Sequence, residues 1–91
     1  MNIIEALGGE DMLGFMIDAS GFSYGDDSVE FFVKDLKVRI SEHDCILSSF
    51  KYHSIRITDR YGVLLKKHSA VYHTSLVRDL LEYELQLSLS F

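Results

Sequence analysis

Few residues in this chain have the types and spacing that do chemistry. Tyr24-Gly25-Asp26-Asp27 sets two carboxylates at a glycine turn. Such a pair can bind Mg²⁺ when further carboxylates or substrate phosphates complete the shell. His43, Cys45, His53, His68 and His73 are zinc-ligand types. They lie in four separate segments, without the CxxC, HxxxH or HExxH spacing that presents two ligands from one element. Only His43 and Cys45, two residues apart, would face the same side of an extended chain. The nucleophiles are Cys45, for which a histidine could serve as base, and Ser20, and nothing in the sequence orients a base towards either. Ser20 sits in Ala19-Ser20-Gly21, which is no nucleophile elbow. Gly8-Gly9 and Gly21 are followed by neither a Walker lysine nor a dinucleotide fingerprint. We therefore expect a non-enzyme with no cofactor and no bound metal.

The Tyr-Gly-Asp-Asp string resembles the metal-holding hairpin of viral RNA polymerases. A polymerase also needs another metal-binding aspartate on a neighbouring strand, and fingers and thumb, which 91 residues do not supply. A Gly-Asp-Asp turn serves as a turn for its own backbone reasons, and that is the expectation here.

The elements that would position these residues follow from periodicity. In Val29–Ile40, Val29, Phe31 and Val33 alternate with Glu30 and Lys34, and Leu36, Val38 and Ile40 with Lys37 and Arg39. Period two written twice predicts a hairpin. A two-residue Lys34-Asp35 connection sets Val33 against Leu36, Phe31 against Val38 and Val29 against Ile40 on one face. It also sets Glu30 against Arg39 on the other, a pair worth about 0.2–1 kcal/mol. Lys-Asp lacks the residues that favour a type I′ turn, so the loop itself is not determined.

Before the hairpin, Asn2 and Glu5 form a capping-box variant ahead of Ile3, Ile4 and Leu7, and Gly8-Gly9 ends that short helix. Glu10 and Asp11 open a second helix with Met12, Leu13 and Met16 on its inner face; a strand over Leu13–Ile17 is the alternative. Ala19–Tyr24 reads as extended, leading into a turn at Gly25–Ser28. After the hairpin, Glu42-His43-Asp44 reads as a polar corner and Cys45–Tyr52 as a strand. Ile55–Thr58, a turn at Asp59–Gly62 and Val63–Lys67 form a second hairpin. Thr74 is the expected N-cap of a helix whose inner face is Leu76, Val77, Leu80, Leu81 and Tyr83, with Arg78, Asp79 and Glu82 outside. From Leu85 the alternation of Leu85, Leu87, Leu89 and Phe91 with polar residues predicts an extended tail. The fold class is α+β: a mostly antiparallel sheet of about five strands with helices on one face, one domain over 1–91.

With 47% hydrophobic and 25% charged residues the composition is that of a globular protein and excludes a disordered chain. Cys45 is the one cysteine, so no intramolecular disulfide forms, and we expect a core thiol in a reducing cytosol. The longest apolar run, Met12–Ile17, is too short to span a bilayer, and Glu5 stands where a signal peptide would be basic. We therefore expect a cytoplasmic protein without a membrane partner.

Net charge is −5 and unevenly spread. Residues 1–35 carry eight acids against Lys34 alone, or −7, whereas residues 51–67 carry Lys51, Arg56, Arg60, Lys66 and Lys67 against Asp59, or +4. Such asymmetry is an argument about partners. The acidic end, with Glu10, Asp11, Tyr24, Asp26 and Asp27, is the candidate surface for a protein partner. The basic hairpin, interleaved with Tyr52 and Tyr61, is the alternative, for nucleic acid. A sequence pI near 5.2 weighs against that alternative.

Ile3-Ile4-Glu5-Ala6-Leu7-Gly8-Gly9, then Met16, Ala19 and Phe22, then Val71-Tyr72 before Leu76, and the ending Leu87-Ser88-Leu89 resemble small proteins encoded by phages and integrative elements. In those, an opening Leu-Gly-Gly helix precedes paired strands, and Val-Tyr leads into a closing helix. Here Glu84-Leu85 stands where that helix ends at glycine. The resemblance implies a mobile-element setting, where small acidic proteins without catalytic motifs inhibit host defence, anti-CRISPR proteins among them. The implied partner is a nucleic-acid-handling defence enzyme in the host bacterium; no catalytic residue is implied.

Overall fold

The Val29–Ile40 alternation forms the hairpin its spacing predicts. In the computed structural model, which describes residues 3–47, 49–72 and 74–89, β2 (Ser28–Val33) and β3 (Leu36–Asp44) pair antiparallel. Val33 faces Leu36, Phe31 faces Val38, Val29 faces Ile40 and Glu30 faces Arg39. The two-residue turn holds because Lys34 accepts a left-handed φ of 55°. Glu30 lies 3.9 Å from Arg39 and closer still, 3.2 Å, to Lys37.

Three more strands extend this hairpin into a five-stranded antiparallel meander, in the order β1 (Ala19–Tyr24), β2, β3, β4 (Lys51–Thr58), β5 (Leu64–Val71). Strand β1 carries an irregularity between Ser20 and Ser23, where Gly21 has φ +66° and a Cβ would come within 3.0 Å of the Phe32 ring. Asp59 closes the β4–β5 turn as an Asx turn, its Oδ1 accepting from the backbone N–H of Tyr61 (2.8 Å) and Val63 (2.9 Å).

All three helices serve one face of the sheet. Helix α1 (Ile3–Ala6) buries Ile4, α2 (Glu10–Ile17) buries Leu13, and α3 (Thr74–Leu89) buries Val77, Leu81 and Leu85. They close over Val29, Phe31, Val33, Leu36, Val38, Ile40, Ile55, Ile57 and Val71. The Phe22 ring packs on Phe31 at 5.2 Å. Arg78 ties the ends of the chain together by donating to the Leu7 carbonyl at the close of α1, one of the orphan acceptors a helix end leaves. Gly8, at φ +112°, leaves room for it, since a Cβ there would lie 3.1 Å from the guanidinium.

The structure corrects several expectations. Residues 42–44 are no corner: β3 runs on to Asp44, and Cys45–Tyr52 is not a strand, β4 starting only at Lys51. Cross-strand partners explain the continuation, since Glu42, His43 and Asp44 oppose His53, Tyr52 and Lys51. Cys45 sits half-buried in the connecting loop and not in the core. The tail from Leu85 stays helical to Leu89, because Val77, Leu81 and Leu85 make one i, i+4 stripe. That stripe leaves Leu76 and Tyr83 exposed, and on α2 it is Leu13 alone that is buried, with Met12 and Met16 on the surface. Asn2, His73 and Phe91, and the Thr74 side chain expected to cap α3, lie outside the described residues.

Candidate functional site

The sheet separates two surfaces of opposite character. On its helix side, at the end where the β1–β2 turn meets β3, the Gly25 N–H donates to Ser28 O at 2.8 Å and the Glu42 N–H to Asp27 O at 2.7 Å. The turn lines a hollow of about 260 Å³ with Ile3, Tyr24, Asp26, Asp27 and Glu42. Tyr24 donates its phenol to Glu10 Oε2 at 2.5 Å, which draws the first turn of α2 to the same end. Lost solvation and the Glu10 carboxylate, with Glu5 behind it, push the Tyr24 phenol up to about 12.

Glu42 is engaged from both sides, 2.9 Å from Lys51 Nζ and 3.6 Å from His53 Nε2. The Lys51 hydrogen bond holds its carboxyl below the usual value, against the opposing effect of burial. Of the five residues the sequence singled out, Tyr24, Asp26 and Asp27 share the hollow and Glu10 is bonded to it through Tyr24. Asp11 stands exposed on the same turn of α2, outside the lining.

Among the described residues the metal candidates are not brought together. His43 and His53 sit at β3 and β4 positions of opposite parity, so His43 stacks on Tyr52 at 5.0 Å while His53 is buried beside Glu42. His68 turns inward to Glu84 at 3.3 Å, joining β5 to α3. Among the described residues no three His, Cys, Asp or Glu side chains form a group that could hold a metal ion. Nor is any helix among them long and apolar enough to cross a membrane.

Among the described residues no helix covers the opposite face of the sheet. Along one row across it Glu30, Arg39, Arg56 and Lys67 are successive cross-strand partners, so three cations on β3, β4 and β5 stand side by side. One row further, Ser41 opposes Ser54, and the next holds His43 and Tyr52, with Tyr72 at 5.9 Å from the Tyr52 ring. These rows line a shallow groove of about 420 Å³ that also includes Ser69. Sequence reasoning found the Glu30–Arg39 pair and read Ile55–Thr58 as a hairpin strand with Val63–Lys67, but missed the row, because it set a separate strand at Cys45–Tyr52 between that hairpin and β3, whereas β3 pairs directly with Lys51–Thr58. The basic hairpin is correspondingly split: Lys51 is held by Glu42 and Asp44, Arg60 lies 4.9 Å over the Tyr61 ring, and Arg56 and Lys67 join the open face. No protein-family model, curated protein or solved structure matches the chain.

Proposed function

We propose that the chain is a small non-enzymatic binding module whose acidic end docks on a basic protein surface, the partner being a nucleic-acid-handling defence enzyme of a host bacterium. The observation that carries this reading is the Tyr24–Glu10 bond, which gathers carboxylates from α2 and the β1–β2 turn around one hollow with Glu42 of β3. Gathered charge of one sign steers association with a surface of the other and suppresses wrong partners. The resemblance to phage and integrative-element proteins supports the choice of a defence nuclease as target.

The test is to isolate a partner from a bacterial lysate and measure its affinity for Asp26→Lys with Asp27→Lys and, separately, Glu10→Lys with Asp11→Lys. At least one pair raises the dissociation constant tenfold or more, about 1.4 kcal/mol, with the fold intact. Binding also weakens as salt rises and the Debye length falls from ~10 Å at 0.1 M to ~3 Å at 1 M. Unchanged affinity in both double variants refutes the reading.

A further inference from the structure

We propose that the open face of the sheet binds single-stranded nucleic acid. The inference is independent of the acidic end, which lies on the helix side of the sheet. Like charges directly opposite on neighbouring strands repel, and this sheet sets Arg39, Arg56 and Lys67 in one line. With strands about 4.8 Å apart, their Cα atoms span about 10 Å. Glu30 at the end of the row reaches Arg39 and Lys37. Among the described residues no carboxylate pairs with Arg56 or Lys67. A chain of phosphates laid along the row supplies the missing counter-charge.

The occupant is further defined by what lies beside the cations. In the serine row Ser41 offers its hydroxyl while Ser54 Oγ lies 3.0 Å from His43 Nε2, and beyond it the stacked His43 and Tyr52 rings offer their outer faces. Successive bases stack on aromatic faces whatever their sequence, while a basic groove tracks the backbone. Cations, hydroxyls and rings in parallel rows on an open antiparallel sheet match a nucleotide strand with its phosphates on one side and its bases on the other. A duplex keeps its base faces inside the stack and cannot use the rings.

The test is fluorescence anisotropy with a labelled oligothymidylate of about 16 nucleotides, the upper end of single-platform site sizes. Three phosphates neutralised give a log–log salt slope of about −2, an affinity loss of about 20-fold between 50 and 200 mM salt. Arg56→Glu weakens binding at least tenfold at 50 mM salt. Tyr52→Ala weakens it about fivefold or more, while Tyr52→Phe, which keeps the ring, restores it. Melting curves establish that each variant is folded. The proposal is overturned by no binding up to about 100 μM protein at 50 mM salt, the weak end of non-specific association. It is also overturned by unchanged affinity in folded Arg56→Glu, or by equal affinity for a duplex of the same length.

Discussion

Replacing Arg56 by glutamine stabilises the protein, against the usual direction for a point change. Arg56 lies between Arg39 and Lys67 in register, so two like-charge contacts are relieved at once. Exposed heads splayed to about 8 Å in water repel by roughly 0.5 kcal/mol per pair, or about 1 kcal/mol for both neighbours. At 0.15 M salt, where the Debye length is also ~8 Å, that falls to roughly 0.4 kcal/mol. Glutamine keeps most of the aliphatic stem, so lost packing is small. For a domain of this size about 1 kcal/mol shifts the melting temperature by roughly 4–8 °C. Arg56→Glu goes further, since both repulsions become attractions of about 0.2–1 kcal/mol each. Thermal and urea unfolding followed by circular dichroism, at low salt and in 1 M NaCl, measures both variants. The order Glu, Gln, Arg in stability, collapsing in 1 M NaCl, is expected. A loss of stability in Arg56→Gln at low salt, or a gain that salt leaves unchanged, refutes the argument from register.

Phe31, fully buried and packed on Phe22, loses about 3–5 kcal/mol on Phe31→Ala, a large part of a small domain's stability; urea unfolding checks it, and a loss below about 1 kcal/mol contradicts the packing. Asp59→Ala removes both acceptor contacts of the β4–β5 turn and costs about 1–2 kcal/mol, while Asp59→Asn keeps an acceptor oxygen and costs less; equal losses contradict the Asx turn. Glu42 has a lowered folded-state pKa, so its stabilisation is fully present above its unfolded value of 4.5 and is lost as pH falls through the lower folded value. Glu42→Gln therefore destabilises at neutral pH, by no more than about 1 kcal/mol for this partly exposed pair, and the gap to wild type closes in acid; a gap that persists there rejects the Lys51 contact as its source.

The parts of the fold legible in the sequence are those written locally. The β2–β3 register follows from Val29–Ile40 because period two on both sides of a two-residue loop leaves one pairing that keeps the apolar residues together. The opening of α2 at Glu10 and the turn at Gly25–Ser28 are also local, and they located four of the five acidic-end residues around one hollow or bonded to it.

Beyond Ile40 the apolar alternation stops, and β3 continues on partners supplied by β4, which no local pattern announces. Glu42 and His53 stand at helix-side positions where a hydrophobic residue would mark a strand, and they hold because they meet each other and Lys51. The end of α3 is another such case. Leu85, Leu87 and Leu89 alternate as a strand would, but Leu85 belongs to the stripe of Val77 and Leu81, and the buried Glu84 is satisfied by His68 from β5. Arg39, Arg56 and Lys67 are spaced along the chain without any shared pattern. Only the register of three strands, set by where two turns close, brings them side by side, because hydrogen-bonded pairing acts between segments and leaves no trace in the spacing within one.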